Sequence, residues 1–303
     1  MITTTLKVVR SPFFYVGNKY KLVPQLKKKF PEKIRRFIEP FCGGGSVYLN
    51  VGADEYLLND INEYMINLHK LLYSFRDCGQ EFFDSTIKII EDYDLSASFI
   101  DIHVPDEYKR EYIKTYYAKY NKPAFMKMRE DFNKNKEDLF RLYLLLIYGF
   151  NRMLRFNSNG DFNLPVGNVD FNKNVENALN DYFDCTANRN TDFSSRDFED
   201  FIEYANPEKG DFVYLDPPYL ITFSEYNKLW NEEHEERLIA LLDKLNDRGV
   251  HFAISNVLWH KERYNAIFNA WGQQYNITQI KSNYISYHDN TNKQSYEVLV
   301  TNY

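Results

Sequence analysis

Residues 212–219 read Phe212-Val213-Tyr214-Leu215-Asp216-Pro217-Pro218-Tyr219. Asp211–Leu215 has the character of a buried parallel strand. Two consecutive prolines then forbid a helix start and impose a rigid turn. A carboxylate, a proline-fixed carbonyl and an aromatic ring are thereby presented together at one strand end. Downstream, Leu238, Ile239, Leu241, Leu242 and Leu245 form a stripe of helical period. Gly249 ends that helix, and Val250–Ser255 reads as the next buried strand, with Ile277–Ile280 and Glu297–Thr301 as closing strands. Alternating strand and helix predicts an open α/β sheet, and ligands in such sheets bind beyond the carboxyl ends of the strands.

Upstream, residues 1–72 read as a basic helix, a strand (Arg36–Phe41), a Gly-rich turn, a helix, a short strand (Tyr56–Leu58) and another helix. The turn is Glu39-Pro40-Phe41-Cys42-Gly43-Gly44-Gly45-Ser46. Glycine lets the backbone turn sharply and lets a ligand approach without a Cβ in the way. A phosphate-binding loop is the rival reading, since helix N-termini attract anions. The loop lacks the Gly-Lys-Ser/Thr ending of nucleotide triphosphatases, and Glu39 would repel phosphate yet suits the cationic end of S-adenosylmethionine. Asp60 ends the second strand, 15 residues after Gly45. A carboxylate there accepts hydrogen bonds from ribose hydroxyls; the alternative is an N-cap for the helix that begins near Ile61.

The turn at Asp216 suits a particular chemistry. An amine on a heteroaromatic ring is a poor nucleophile because its lone pair is delocalised into the ring. Asp216 and a backbone carbonyl of the turn can accept both N–H bonds, which favours a pyramidal nitrogen with its lone pair aimed at a methyl donor. Tyr219 can stack on a base swung out of its helix. The bland alternative is a structural turn around a buried ring.

Composition bounds the rest. Hydrophobic residues make up 44% of 303 and aromatic residues 17%, with 25 Tyr and 24 Phe. Such rings fill cores, and some can stack on bases. Three scattered cysteines (Cys42, Cys78, Cys185) fit a reducing cytoplasm and neither a disulfide frame nor a zinc site. No start-of-chain signal is expected, and the most apolar stretch, Leu139–Tyr148, contains Arg141 and is too short to span a bilayer. Net charge is −6, which as an average counts against a nucleic-acid partner. Locally, residues 1–36 carry Lys7, Arg10, Lys19, Lys21, Lys27, Lys28, Lys29, Lys33, Arg35 and Arg36 against the single acid Glu32. That run is either a solvated helix face or a footprint for phosphates. Residues 73–185 are mixed: charged helical stretches, an apolar helix near Leu139–Phe150, then an Asn/Gly-rich segment, Asn151–Asn168, suited to hairpins and loops.

Asp216–Tyr219, with the Phe41–Gly45 loop upstream, resembles the amino-methyltransferases of DNA. Tyr15-Val16-Gly17-Asn18-Lys19 is similar to the amino-terminal cofactor motif of the D12 class, the Dam-like DNA adenine methyltransferases. That class places this segment first, then the Gly loop, the target-recognition insert and the catalytic turn, the order found here. Arg155-Phe156-Asn157-Ser158-Asn159-Gly160-Asp161-Phe162-Asn163-Leu164-Pro165-Val166-Gly167 resembles the recognition hairpin of enzymes that modify GATC and related sites. Phe252-Ala253-Ile254-Ser255-Asn256 and the ending Tyr296–Tyr303 also fit. The likeness covers nearly the whole chain and is weakest across residues 75–135.

The resemblance implies a Rossmann-like class I methyltransferase sheet from residues 1–72 and 186–303, with residues 73–185 as an inserted, mainly helical target-recognition subdomain containing a β-hairpin. It implies a cytoplasmic DNA adenine methyltransferase that uses S-adenosyl-L-methionine, needs no metal, and acts on double-stranded DNA within GATC or a GAT-containing site. Asp216, Pro217, Pro218 and Tyr219 would be catalytic. Tyr15, Gly17, Lys19, Glu39, Phe41, Gly43, Gly45, Asp60, Asp197, Phe198 and Asp216 would bind cofactor, with Asp192-Phe193 a second candidate for the Asp197-Phe198 pair. Phe150, Asn151, Met153, Arg155 and Pro165 would contact DNA, Arg155 by bonding guanine O6 and N7 together. A cognate restriction endonuclease becomes a candidate genetic partner, beside action alone in replication, repair or phage defence. Two departures bear on target sequence and not on chemistry: Phe14 stands where many relatives carry a Lys that helps read the first base, and Asn151-Arg152 stands for Asn-Gly.

Three functions remain. Adenine methylation is the first. Cytosine N4 or RNA-base methylation is the second, opposed by Asp216 where those enzymes usually carry Ser or Asn. A DNA-binding protein keeping a silent methyltransferase fold is the third, opposed by intact Asp216, Tyr219 and glycines.

Overall fold

The computed structural model describes residues 7–222, 230–281 and 295–303. Among them, eight strands form one sheet: β1 (Arg36–Glu39), β2 (Glu55–Asn59), β3 (Asn190–Ser194), β4 (Phe212–Leu215), β5 (His251–His260), β6 (Arg263–Tyr264), β7 (Asn276–Ile280) and β8 (Ser295–Thr301). Their order is β3-β2-β1-β4-β5-β8-β7, with β6 paired to β5. Strands β3, β2, β1, β4 and β5 run parallel, whereas β8 runs against both of its neighbours. Phe212–Leu215 is buried at every position, as a central parallel strand covered on both faces must be. Leu238, Leu242 and Leu245 of the helix Glu232–Asp247 and Phe201 and Ile202 of the helix Phe198–Ala205 join Val213, Leu215, Phe252 and Ile254 in one core. Each such side chain contributes about 1.5–3 kcal/mol by leaving water.

The order reverses between β1 and β4, from which the chain continues outward in both directions. At such a switch point the loops beyond the carboxyl ends part and leave a crevice. The register Glu39↔Leu58, Asn59↔Ser194 and Ile38↔Val213 puts the carboxyl ends of β1, β2, β3 and β4 at one edge.

The chain divides into two compact units: one of residues 21–42, 50–61 and 189–303, which holds the sheet, and one of residues up to 20, 43–49 and 62–188. Residues 7–20 and 62–72, expected with the sheet, thus cluster with the helices. Their packing gives the reason: the Phe13 ring lies 4.6 Å from His69 and 6.3 Å from Tyr143, and the Tyr143 hydroxyl donates to the Pro12 carbonyl. The second unit is built on the helices Glu63–Ser74, Gly79–Asp92, Tyr116–Lys134, Leu139–Tyr148 and Lys173–Thr186. Every residue from Leu142 to Tyr148 is fully buried. No described helix is long and apolar enough to cross a membrane.

Two local expectations fail. The basic helix is one α-turn, Val23–Leu26, followed by the 3-10 turn Lys27–Lys29. Phe30 is extended (ψ 154°), as the residue before a proline prefers, and Pro31 ends the helical path. After the glycines stands only a 3-10 turn, Tyr48–Asn50, where a helix was expected.

Candidate active site and nucleic-acid interface

In the sheet unit, Glu39 is the last residue of β1 and 2% exposed, and Asp60 follows β2 directly. Asn59 is the last residue of β2. Its amide donates to the carbonyls of Pro40 and Arg196, both at 3.0 Å, and accepts from the Arg196 N–H at 2.9 Å. One buried side chain therefore ties the ends of β1, β2 and β3 together. Asp60 is not a helix cap: that role belongs to Asn62, whose side chain accepts from the Met65 N–H. Cys42 reports the local field. Burial first, then the carboxylates of Asp60 and Glu39, push its thiol well above the ordinary range. Burial disfavours a charge of either sign; the two carboxylates add a negative field that would suit a cation.

Asp197 ends the loop after β3 and caps the helix Phe198–Ala205 by accepting from the Glu199 N–H. Arg237 holds it in place, 2.7 Å from Asp197, and its guanidinium lies over the Phe198 ring. Phe198, Phe41 and Trp230 form a ring cluster with centroids 5.5–5.9 Å apart. Asp192, the competing candidate, sits within β3 and accepts from the Tyr204 hydroxyl at 2.9 Å. Only Asp197-Phe198 stands at the carboxyl edge with the Phe41 loop.

Asp216 leaves β4 at the same edge. The Tyr219 hydroxyl lies 2.8 Å from Asp216 Oδ1 and 3.3 Å from Glu297 Oε1. With one proton to give, it donates to the nearer oxygen. Glu297, on β8 and 1% exposed, gave no signal in the sequence. The Tyr219 ring is 7% exposed and clusters with Ile221 and Val257. The open stacking face expected of Tyr219 is therefore not presented in this structure; the ring is packed and its hydroxyl orients the carboxylate.

In the helical unit, the glycines are fitted to side chains. A Cβ on Gly45 (φ +71°) would fall 2.5 Å from Tyr48 Cε1 and 2.8 Å from His69 Cε1, and one on Gly44 would fall 2.8 Å from Tyr15 Cβ. Ser11 Oγ donates to the Gly44 carbonyl. His69 Nε2 lies 2.7 Å from the Gly43 carbonyl, and burial holds the imidazole down to about 4, so at neutral pH it is the neutral ring donating to that oxygen. Nothing in the sequence marked His69. Tyr15 and Lys19 are 7% and 4% exposed, and Gly17 takes φ +77° in open space.

The expected hairpin is present as two antiparallel arms joined by isolated bridges, Gly149↔Val166 and Phe156↔Phe162, without a continuous ladder. Pro165 has no N–H to give, and the outer arm finds partners on the helix Tyr116–Lys134. Asn133 accepts from the Phe162 N–H and donates to its carbonyl, and Arg129 donates to the Leu164 carbonyl. Asn157 Oδ1 accepts from the N–H groups of Asn159 and Asp161 and shapes the tip. Arg155 donates from Nε to Asn163 Oδ1 (2.8 Å) and from Nη2 to the Asn163 carbonyl (2.9 Å). Its guanidinium plane is thus fixed. Phe150 is 43% exposed and Pro165 is exposed, whereas Met153 is half-buried. Asn151 and Arg152 both take left-handed backbone, φ 55° and 50°. Such strain costs of order 1–3 kcal/mol at each non-glycine residue.

Residues 15–285 match the family model for D12 class N6 adenine-specific DNA methyltransferase. The chain is 35% identical to the Type II methyltransferase M.FokI of Planomicrobium okeanokoites, over 99% of this chain and 44% of that one. It is 32% identical to the modification methylase StsI of Streptococcus sanguinis, over 100% of this chain and 44% of that one. It is 31% identical to the DNA adenine methylase of Haemophilus influenzae, over 73% of this chain and 68% of that one. The chain spans 44% of the length of the first two. Among solved structures, a conserved hypothetical protein of Streptococcus pyogenes aligns over 92% of this chain and 94% of its own with a TM-score of 0.32 and 8% identity, too loose a likeness to bear on the fold. By the extent of the family match, the chain belongs to the D12 class N6 adenine-specific DNA methyltransferases.

Proposed function

We propose that this chain transfers a methyl group from S-adenosylmethionine to N6 of adenine in double-stranded DNA, within GATC or a site containing GAT. The observation that carries the reading is the Asp216-Pro217-Pro218-Tyr219 turn, set at the switch point of the sheet with Asp216 oriented by the Tyr219 hydroxyl. S-adenosylmethionine, when bound, supplies an electrophilic methyl on a sulfonium whose leaving group is a neutral thioether. The donor set fits such a ligand. Glu39 and Asp60 make the field cationophilic, Asp60 suits ribose hydroxyls, and Phe41 and Phe198 offer rings for an adenine, with Asp197 beside them. Tyr15, Gly17, Lys19, Gly43 and Gly45 are proposed as cofactor contacts on the strength of the resemblance of their motifs.

Asp216 accepts one N–H of the target amine, and a carbonyl of the turn fixed by Pro217 and Pro218 accepts the other. With both N–H bonds held in this way, the nitrogen lone pair would be turned out of conjugation toward the methyl group that S-adenosylmethionine would supply, and Asp216 would take the proton released from nitrogen and pass it to solvent. Tyr219 acts through Asp216 as a positioning residue. Phe150, Asn151, Met153, Arg155 and Pro165 are assigned to DNA, with Arg155 presenting the edge of a guanidinium already held in plane by Asn163. A Type II setting, with a restriction endonuclease as genetic partner, is in keeping with the names of M.FokI and StsI. Long-read methylation mapping of DNA from cells expressing the chain tests the reading. It should show N6-methyladenine at one short motif; methylcytosine, or no new modification, would reject it.

A further inference from the structure

Phe14 and Arg152, far apart in the chain, meet in the helical unit. The Arg152 guanidinium lies 4.2 Å from the Phe14 ring centroid, and the Arg10 guanidinium lies 4.4 Å from the same centroid. Three non-glycine residues here hold left-handed backbone: Phe14 (φ 50°), Asn151 (φ 55°) and Arg152 (φ 50°). Folding tolerates such strain where the surroundings over-determine a geometry, and it concentrates at ligand clamps. The Arg152 side chain is half-buried, yet its guanidinium donates no hydrogen bond to any described residue. Asp170, the carboxylate whose field reaches it, spends its oxygens on the Ser98 N–H (2.9 Å) and the Asn172 amide (3.3 Å). Burial and the neighbouring Arg10 charge hold the Arg152 guanidinium down to about 10, a sign of desolvation without an ion pair. Beside it, a cleft of about 340 Å³ is lined by Phe150, Asn151 and Arg152 on one side and Gly167 and Asn168 on the other.

The Arg152 guanidinium is half-buried and has no acceptor among the described residues, so its N–H donors are available to an acceptor that enters the cleft. An exposed lysine serves for a phosphate. A guanidinium laid on a ring has its plane fixed, and its fork then matches two acceptors in one plane. In a duplex, guanine O6 and N7 form such a pair at the floor of the major groove. Resting on the DNA-methylating reading above, we propose that Arg152, held on Phe14, is a sequence-reading residue that bonds a guanine of the target site, at a position different from the one read by Arg155.

The test uses duplexes that each change one base pair of the mapped site, with methylation rates measured for the wild-type chain and the Arg152→Lys, Arg152→Gly, Phe14→Leu and Arg155→Ala variants. Glycine adopts φ 50° without strain, so Arg152→Gly keeps the fold, and Arg152→Lys keeps the charge without the fork. Both should lose about 10- to 100-fold of discrimination at one G·C pair, the scale of a bidentate contact. Phe14→Leu should lose part of it at the same pair, Arg155→Ala should act at another, and the salt dependence of DNA binding should stay unchanged in Arg152→Lys. A uniform fall across the panel with a flattened salt dependence in Arg152→Gly would make Arg152 a phosphate contact and overturn the proposal. So would a profile unchanged from wild type. A wild-type chain that methylates none of the duplexes would instead reject the reading on which the proposal rests.

Discussion

The Tyr219 hydroxyl donates to Asp216 Oδ1 across the two prolines that separate them, at 2.8 Å. Aromatic ring and carboxylate are thus one unit. Removing the hydroxyl should let Asp216 turn without changing the packing of the ring. Tyr219→Phe is expected to lower kcat about 10- to 100-fold, from the roughly 1.5–3 kcal/mol of a hydrogen bond to a charged group, while KM for cofactor changes little. Steady-state kinetics with labelled methyl donor measures this. An unchanged kcat would leave the hydroxyl a packing detail.

Asp60 lies where β2 ends, braced by Asn59, and its carboxylate contributes to the field that raises the Cys42 thiol. Asp60→Ala should weaken S-adenosylmethionine binding by about 1.5–3 kcal/mol, through loss of a charge-assisted bond. Calorimetric titration reads the constant directly. Equal affinity for wild type and variant would remove Asp60 from the cofactor site.

Gly45 and Gly17 both have positive φ, yet a Cβ would strike Tyr48 and His69 only at Gly45. Gly45→Ala should therefore cost roughly 2–4 kcal/mol, left-handed strain plus overpacking, and Gly17→Ala about 1–2, strain alone. Thermal unfolding of the two variants gives the order. Equal losses would mean that the rings around Gly45 yield without cost.

His69 makes stability depend on pH. Its folded-state pKa of about 4 lies below the ordinary 6.5. Between those values the unfolded chain binds the proton and the folded one does not, so stability rises with pH there. Stability is full above pH 6.5 and falls as the pH drops toward 4, by on the order of 3 kcal/mol from this group. Urea unfolding across pH 4–7 should show the slope in the wild-type chain and a flatter one in His69→Gln. The same slope in both would place the proton elsewhere.

What the sequence revealed followed from local physics. Phe212–Leu215 is an unbroken apolar strand, Pro217 and Pro218 admit no helix, and the Leu238–Leu245 stripe has one period, so the core of the sheet and the place of Asp216 were legible. Strand β3, Asn190–Ser194, was not singled out, because an edge strand of alternating exposure need not be apolar. The helix expected after the glycines was lost to a turn in which Gly43 and Gly45 take φ +46° and +71°. The partners that set the geometry, Glu297 on Tyr219, His69 on Gly43 and Arg152 on Phe14, are separated by long stretches of chain and leave no spacing to read. Residues 1–20 looked continuous with the sheet because adjacency in sequence says nothing of the Phe13 ring packing against His69.

In the proposed reaction Asp216 acts on the exocyclic amine of adenine. Wild-type and Asp216→Ala chains should be incubated with DNA and labelled S-adenosylmethionine, the DNA digested to nucleosides and the label located, with gel-shift affinity measured in parallel. Label should appear in N6-methyladenine for the wild type, and at less than a few per cent of that rate for Asp216→Ala at undiminished DNA affinity. Label in another nucleoside, or an Asp216→Ala chain that retains most of its rate, would contradict the proposed reaction.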